Sequence, residues 1–382
     1  MRNFIEKYLK GDRVIWIITI LMMAFSLVTV FSFVPVLVKV EGGTPIKYLM
    51  KHSLYVVLSG MMMWGIHRAN PKYFSQASKI MMMLGLGMLV LTMLSSGEVN
   101  GAKRWVKIPF ISLTFQTSDL AKVTLIMYLS KQLAKRKDQF MDWKEGFLPI
   151  MGPLLITVAL IIKDNFSTAA IVFALGLTML FIGKFPISRM LVVFAVAIGL
   201  GGAAYSIHKA FPEKNLLPRL TTWENRILHR IDDDANVIEN AQVTNAKLAI
   251  YNGKLFGQGV GDGKLKEYLP EAYADFYYSS FVEEFGSISA ILLLLLYLIL
   301  LYRMIRIGLR STVLFETYFC IGIGILMITQ ATVNMLVCTG IFPVTGQNMP
   351  LLAMGGSALM MTCTAIGMVQ SIAAKNNRGP KE

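Results

Sequence analysis

The stretch YLPEAYADFYYSSFVEEFG, residues 268–286, sets four carboxylates, Glu271, Asp275, Glu283 and Glu284, directly before and inside a hydrophobic run that continues to Arg303. Pro270 suits the first position of a helix. A helix starting there places Glu271 and Asp275, four residues apart, on one face. At a rise of about 1.5 Å per residue the run from Glu284 to Arg303 climbs about 28 Å, with Asp275 about 12–13 Å beyond Glu284. Glu283 and Glu284 then lie near the hydrocarbon boundary, and Asp275 lies within reach of water and of a lipid head group. Capping of a helix N-terminus accounts for Glu283 and Glu284 as well as chemistry does. Two carboxylates on one face above a membrane surface suit acid–base work on a lipid-linked substrate.

The elements that must hold these groups follow from composition. With 382 residues, 55% hydrophobic side chains and 16% charged ones, the chain cannot be a water-soluble globule and reads as a multi-pass membrane protein. A window of about 20 residues, enough to cross about 30 Å of hydrocarbon, gives ten spans with cores at 14–38, 48–66, 80–96, 118–134, 146–162, 168–183, 190–208, 277–302, 313–339 and 350–373. The first run is long and lacks a small-residue cleavage site, so it is expected to remain as a helix.

The net charge of +14 does not point to nucleic acid, because the basic residues sit in short clusters between apolar runs. Arg2, Lys7, Lys10 and Arg13, then Arg68, Lys72 and Lys79, then Lys131 to Lys144, Lys184 and Arg189, Arg303, Arg306 and Arg310, and Lys375 to Lys381 all fall on one side of the ten-span scheme. That bias places both termini in the cytoplasm and residues 209–276 outside. Cys320, Cys338 and Cys363 lie in apolar segments without paired spacing and read as packing residues.

An outer loop of this length calls for a function. It contains LTTWENRILHRI, a helical NAQVTNAKLAIYNG and the glycine-rich GKLFGQGVGDGK. The glycines lack the preceding strand of a dinucleotide fingerprint and read as a tight turn. The acidic run at 232–234 reads as a solvated turn. The methionine runs at 61–63 and 81–83 read as adaptable helix packing, and the four histidines do not cluster in sequence.

Three ordered motifs carry a resemblance. LFGQGVGDGKLKEYLPEAYADFYYSSFVEEFG, GAKRWVKIPFISLTFQTSDLAKV at 101–123 and NMLVCTGIFPVTGQNMPLLAMGGSA at 334–358 resemble segments of the shape, elongation, division and sporulation family, the peptidoglycan polymerases RodA and FtsW. The resemblance covers nearly the whole chain and leans toward a divergent division-type FtsW. It implies an all-α fold of ten transmembrane helices in a single membrane domain, residues 1–382, with a large extracytoplasmic loop at 209–276 between the seventh and eighth.

The implied activity is inverting glycosyl transfer. The 4-hydroxyl of one N-acetylglucosamine attacks the anomeric carbon of lipid II's N-acetylmuramic acid, and undecaprenyl pyrophosphate leaves. The family's catalytic aspartate falls on Asp275, the implied general base, with Glu271 beside it. Asp119 and Lys122 fall on an acidic–basic pair, three apart and hence neighbours on a helix. Arg104 fits a pyrophosphate contact through its two-pronged guanidinium, although an interfacial anchor beside Trp105 accounts for it nearly as well. Gln242, Thr345 and Ser357, with Pro343 and Gly346, match positions that shape the outer cavity.

Thr117 and Asp119 stand where proline and glutamate are commoner, Tyr273 and Ala274 where histidine and threonine are frequent, and Ala353 and Met354 where serine and tyrosine are. These departures weigh on the substrate contacts more than on Asp275. No cofactor signature is present, while a pyrophosphate leaving group is chemistry that Mg or Mn assists. The implied partners are lipid II, a class B penicillin-binding protein with transpeptidase activity and other division proteins at the septal cytoplasmic membrane. Two competing readings are a lipid II flippase, which predicts inverted repeats and broken helices that the sequence does not display, and a non-catalytic scaffold of the division machinery.

Overall fold

The computed structural model, which describes residues 9–94, 105–107, 114–210, 237–269 and 271–377, is predominantly helical. Local sequence sets many boundaries. Asp12 caps α1 (Arg13–Glu41) by accepting from the amides of Val14 at 2.9 Å and Ile15 at 3.1 Å. α2 (Pro45–Ile66) and α3 (Pro71–Leu94) each open on proline, which has no N–H to leave unpaired. A pair of antiparallel strands, β1 (Trp105–Lys107) and β2 (Thr114–Gln116), sets Val106 opposite Phe115 and leads directly into α4 (Thr117–Lys135).

A π-helical turn at Trp143–Phe147 enters α5 (Leu148–Ile162), and Asn165 caps α6 (Phe166–Ile182) by accepting from the Thr168 amide at 3.0 Å. Then come α7 (Ile187–Ala210), α8 (Val237–Gly253), a 3-10 turn at Leu265–Tyr268, α9 (Tyr277–Leu309), α10 (Leu314–Cys338) and α11 (Gly356–Asn376). α8 is the helix expected from NAQVTNAKLAIYNG.

Seven of these elements are long and apolar enough to cross a membrane: α1, α3, α5 with its leading turn, α7, α9, α10 and α11. α6 is apolar but only 17 residues long. Large apolar side chains such as Ile17, Phe31, Met83, Leu94, Leu191, Val192 and Ile291 are exposed, more than an aqueous surface tolerates. The chain is therefore a multi-pass membrane protein.

α4 occupies the middle, packed against α3, α5, α6, α10 and α11. Nearly all of its residues are buried, among them Asp119, Lys122, Thr124, Ser130 and Gln132. Lipid never meets these polar groups, which is why a helix of modest hydropathy fits here. α7 is the opposite case, with almost no buried surface.

Two expectations about the quoted stretch are overturned. Residues 271–276 form turns, and the helix begins only at Tyr277, so Glu271 and Asp275 do not share a helical face. Glu271 has φ of 54°, outside the helical region. The amides of Ala274 and Asp275 turn back to the Glu271 carbonyl at 2.9 and 3.0 Å, while the carbonyls of Tyr273, Ala274 and Asp275 bond across the fold. Pro270 lies outside the described residues.

The helix from Tyr277 is also broken, at Gly286 (φ 79°, ψ 172°), so no uninterrupted rise joins Glu284 to Arg303. A broken helix, one of the expected marks of a flippase, is thus present, but the glycine-rich loop seals it. Ser287 and Ile288 donate to the carbonyls of Lys254 and Leu255, and Gln258 and Gly259 donate to those of Glu283 and Glu284. The last apolar run also starts later than expected, because residues 350–355 form a turn and bend before α11.

Candidate functional site

The Asp275 segment is held by its backbone. Asn334, buried on α10, donates from Nδ2 to the carbonyls of Ala274 at 3.3 Å, Asp275 at 3.0 Å and Gln347 at 2.9 Å, while its Oδ1 accepts from the Tyr278 amide at 3.3 Å. The Met354 amide donates to the Tyr273 carbonyl at 3.0 Å. Gln347, also buried, donates to Thr168 Oγ1 on α6 at 2.7 Å. Consequently the Asp275 turn, the loop after α10 and the start of α6 form one hydrogen-bonded unit. Its half-buried aspartate has a fixed main chain under it.

A second cluster lies at the other end of the same loop. Lys122 Nζ sits 2.9 Å from Asp119 Oδ1, and Ser357 Oγ, at the start of α11, donates to Asp119 Oδ2 at 3.0 Å. All three side chains are buried. A void of about 20 Å³ adjoins the pair between α4, α10 and α11, room for about one water. The loop 341–355 contacts the Asp275 turn through Met354, and Ser357 follows three residues later, so one short segment joins both clusters.

Glu283 and Glu284 do not cap the start of their own helix, which has no side-chain cap. Glu283 Oε1 accepts from the amides of Lys264 at 3.1 Å and Leu265 at 3.3 Å. Glu284 Oε1 pairs with Lys266 Nζ at 2.7 Å, and that ammonium also reaches Ser32 Oγ at 2.5 Å and the Gly261 carbonyl at 3.0 Å. Both partners are buried, so removing either leaves an uncompensated charge, at a cost of about 3–5 kcal/mol. These carboxylates anchor the loop that covers the helix break.

Of the remaining candidates, Gln242 is half-buried on α8, which packs on α9, and Glu271 and Thr345 are half-buried in the turn and the loop. Arg104 and the acidic run at 232–234 lie outside the described residues. Asn334, Gln347 and Lys266 were not singled out by sequence. Asn334 carried a signal, a polar side chain inside an apolar run; Lys266 looked like any loop lysine. The three cysteines are free and buried, as packing residues should be. Among the described residues no group of His, Cys, Asp or Glu side chains is arranged to hold a metal ion, so no residue is assigned to a cation.

Over residues 12–378 the sequence matches the family described as cell cycle protein, that of FtsW, RodA and SpoVE. It is 30% identical over 333 residues to a probable peptidoglycan glycosyltransferase FtsW of Halomonas elongata, covering 86% of this chain and 81% of that one. It is also 30% identical over 370 residues to a protein of the same name from a Geobacter species, covering 95% and 97%. Among solved structures, the rod shape determining protein RodA of Thermus thermophilus is similar, with TM-score 0.69, 22% identity and coverage of 98% of this chain and 100% of that one. A chain of a peptidoglycan synthase complex that coordinates polymerization and crosslinking gives TM-score 0.72 and 22% identity, covering 96% and 98%. At these identities the two structures speak to the fold alone.

Proposed function

This chain belongs to the FtsW, RodA and SpoVE family of cell cycle proteins, and from that premise we propose that it is a peptidoglycan glycosyltransferase polymerising lipid II with Asp275 as general base. A sugar hydroxyl is a weak nucleophile until a positioned carboxylate takes its proton in the transition state. In this reading Asp275 accepts the proton of the acceptor's 4-hydroxyl as that oxygen bonds to the anomeric carbon, and the bond to the lipid pyrophosphate breaks with inversion. The observation that carries the assignment is the backbone clamp by Asn334, because a base must be held on a rigid support to keep attack geometry.

Asp119, Lys122 and Ser357, a buried hydrogen-bonded set, are assigned to substrate binding. Gln242, Glu271 and Thr345 are likewise assigned to substrate binding, and Arg104 to contact with the substrate pyrophosphate. We further assign ten spans in a single membrane domain, both termini cytoplasmic, residues 209–276 outside, and action at the division septum beside a class B penicillin-binding protein. The name carried by the Halomonas and Geobacter relatives supports the division role.

The test is polymerisation of labelled lipid II by purified protein with its transpeptidase partner, wild type against Asp275→Asn at matched thermal stability. Loss of about 10²–10⁴-fold is expected from removing a general base. Equal product from both proteins would remove Asp275 from the chemistry.

A further inference from the structure

The ends of α1, α9 and α11 on one membrane face surround a cavity of about 390 Å³, lined by Asp12, Arg13, Arg303, Arg306, Arg310 and Asn376 among others. Its size falls within the range of small-molecule sites, about 300–1,000 Å³. Its walls are built. Arg303 grips Asp12 with two bonds, Nη2 to Oδ2 at 2.9 Å and Nε to Oδ1 at 3.2 Å. Gln370 of α11 exchanges hydrogen bonds with the Asp12 main chain at 2.7 and 2.9 Å, and Asn376 donates to the Ile307 carbonyl at 3.0 Å.

Four guanidinium groups thus line a cavity whose lining carboxylate is already engaged by Arg303. Arg306 and Arg310 follow Arg303 at spacings of three and seven, one face of a helix. Both are exposed, and among the described residues neither has a carboxylate at ion-pair distance. Arginines at a helix end also serve as orientation signals. A signal, however, does not require a walled cavity into which the charges converge.

We propose that this cavity binds the phosphate head group of an anionic membrane lipid. Planar guanidinium forks match phosphate oxygens in pairs. α9 itself points to a lipid: Tyr302 and Leu309, beside the arginines, are 60% and 69% exposed, and Leu295, Leu298 and Ile299 are exposed just before them. Acyl chains covering that apolar surface bring their head groups to the level of Arg306 and Arg310.

The experiment titrates the full-length protein, in a neutral detergent, with diphosphatidylglycerol or phosphatidylcholine and reads lipid occupancy by native mass spectrometry. The wild type is expected to retain the anionic lipid selectively. Arg306→Gln with Arg310→Gln is expected to weaken it by about thirtyfold, the worth of two basic residues near an anionic surface. Lys72→Gln with Lys79→Gln, two exposed lysines on α3, should stay within about twofold. Unfolding temperatures in phosphatidylcholine confirm that each variant is folded.

Equal weakening in both double variants would overturn the site in favour of diffuse surface charge, and no change in the arginine variant would overturn it outright. Displacement of the lipid by an equal concentration of inorganic pyrophosphate would assign the cavity to a soluble phosphate instead. Occupancy is read without any polymerisation, so a protein that binds the lipid but makes no glycan would sink the enzyme reading and leave this one standing.

Discussion

In the proposed reaction the Asp275 side chain takes the proton, and Asn334 holds the backbone that carries it. One buried amide serves three carbonyls and one N–H, tying the Asp275 turn to the loop after α10. Asn334→Ala removes these bonds, at about 1–3 kcal/mol for each group that it leaves buried and unsatisfied. The expected outcome is a lowered unfolding temperature and a fall of about 10²-fold in lipid II polymerisation, the penalty typical of a misplaced reacting group. Asn334→Asp is roughly isosteric but brings no N–H, so it should not restore the rate. A wild-type rate in Asn334→Ala, measured alongside thermal unfolding, would show that the clamp is dispensable. The motif around Asp275 is legible in the sequence, whereas the clamp needs two segments 59 residues apart to meet.

At the scale of elements, the glycine-rich loop and the break in α9 form one interlocked piece. Gly286 lies in a region of backbone space that is essentially glycine's alone. A Cβ there would also run into the Leu255 carbonyl and the Gly257 amide. The sequence reading of the glycines as a tight turn holds, with Gly257, Gly259 and Gly261 all at positive φ, but it missed what the turn embraces. Gly286→Ala is expected to cost at least about 1–3 kcal/mol in strain alone and to speed proteolysis of residues 254–264. Gly199→Ala, on α7 with nothing within 4 Å of its added methyl, should stay within about 0.5 kcal/mol of wild type. Thermal unfolding of both variants checks the contrast, and equal melting would mean the loop is not locked to the break.

For the molecule as a whole, sidedness is the prediction that matters. The three native cysteines are buried and free, so added ones report alone. Asp262→Cys, in the exposed glycine-rich loop, should react with a membrane-impermeant maleimide in intact cells. Lys137→Cys, exposed after α4, should react only once the membrane is opened; the reverse pattern would invert the proposed topology. By itself the sequence determined the membrane class, the positions of the apolar runs and the motif that carries Asp275. Those properties are local or additive: hydropathy sums along a helix, and a motif is a string. Only the tertiary structure decided that residues 271–276 are turns, that α9 breaks at Gly286, and that α4 is buried almost throughout with Asp119, Lys122 and Ser357 meeting on it. Each of these depends on which distant group satisfies a backbone or buried charge, and helix propensity read along the chain has no knowledge of that partner.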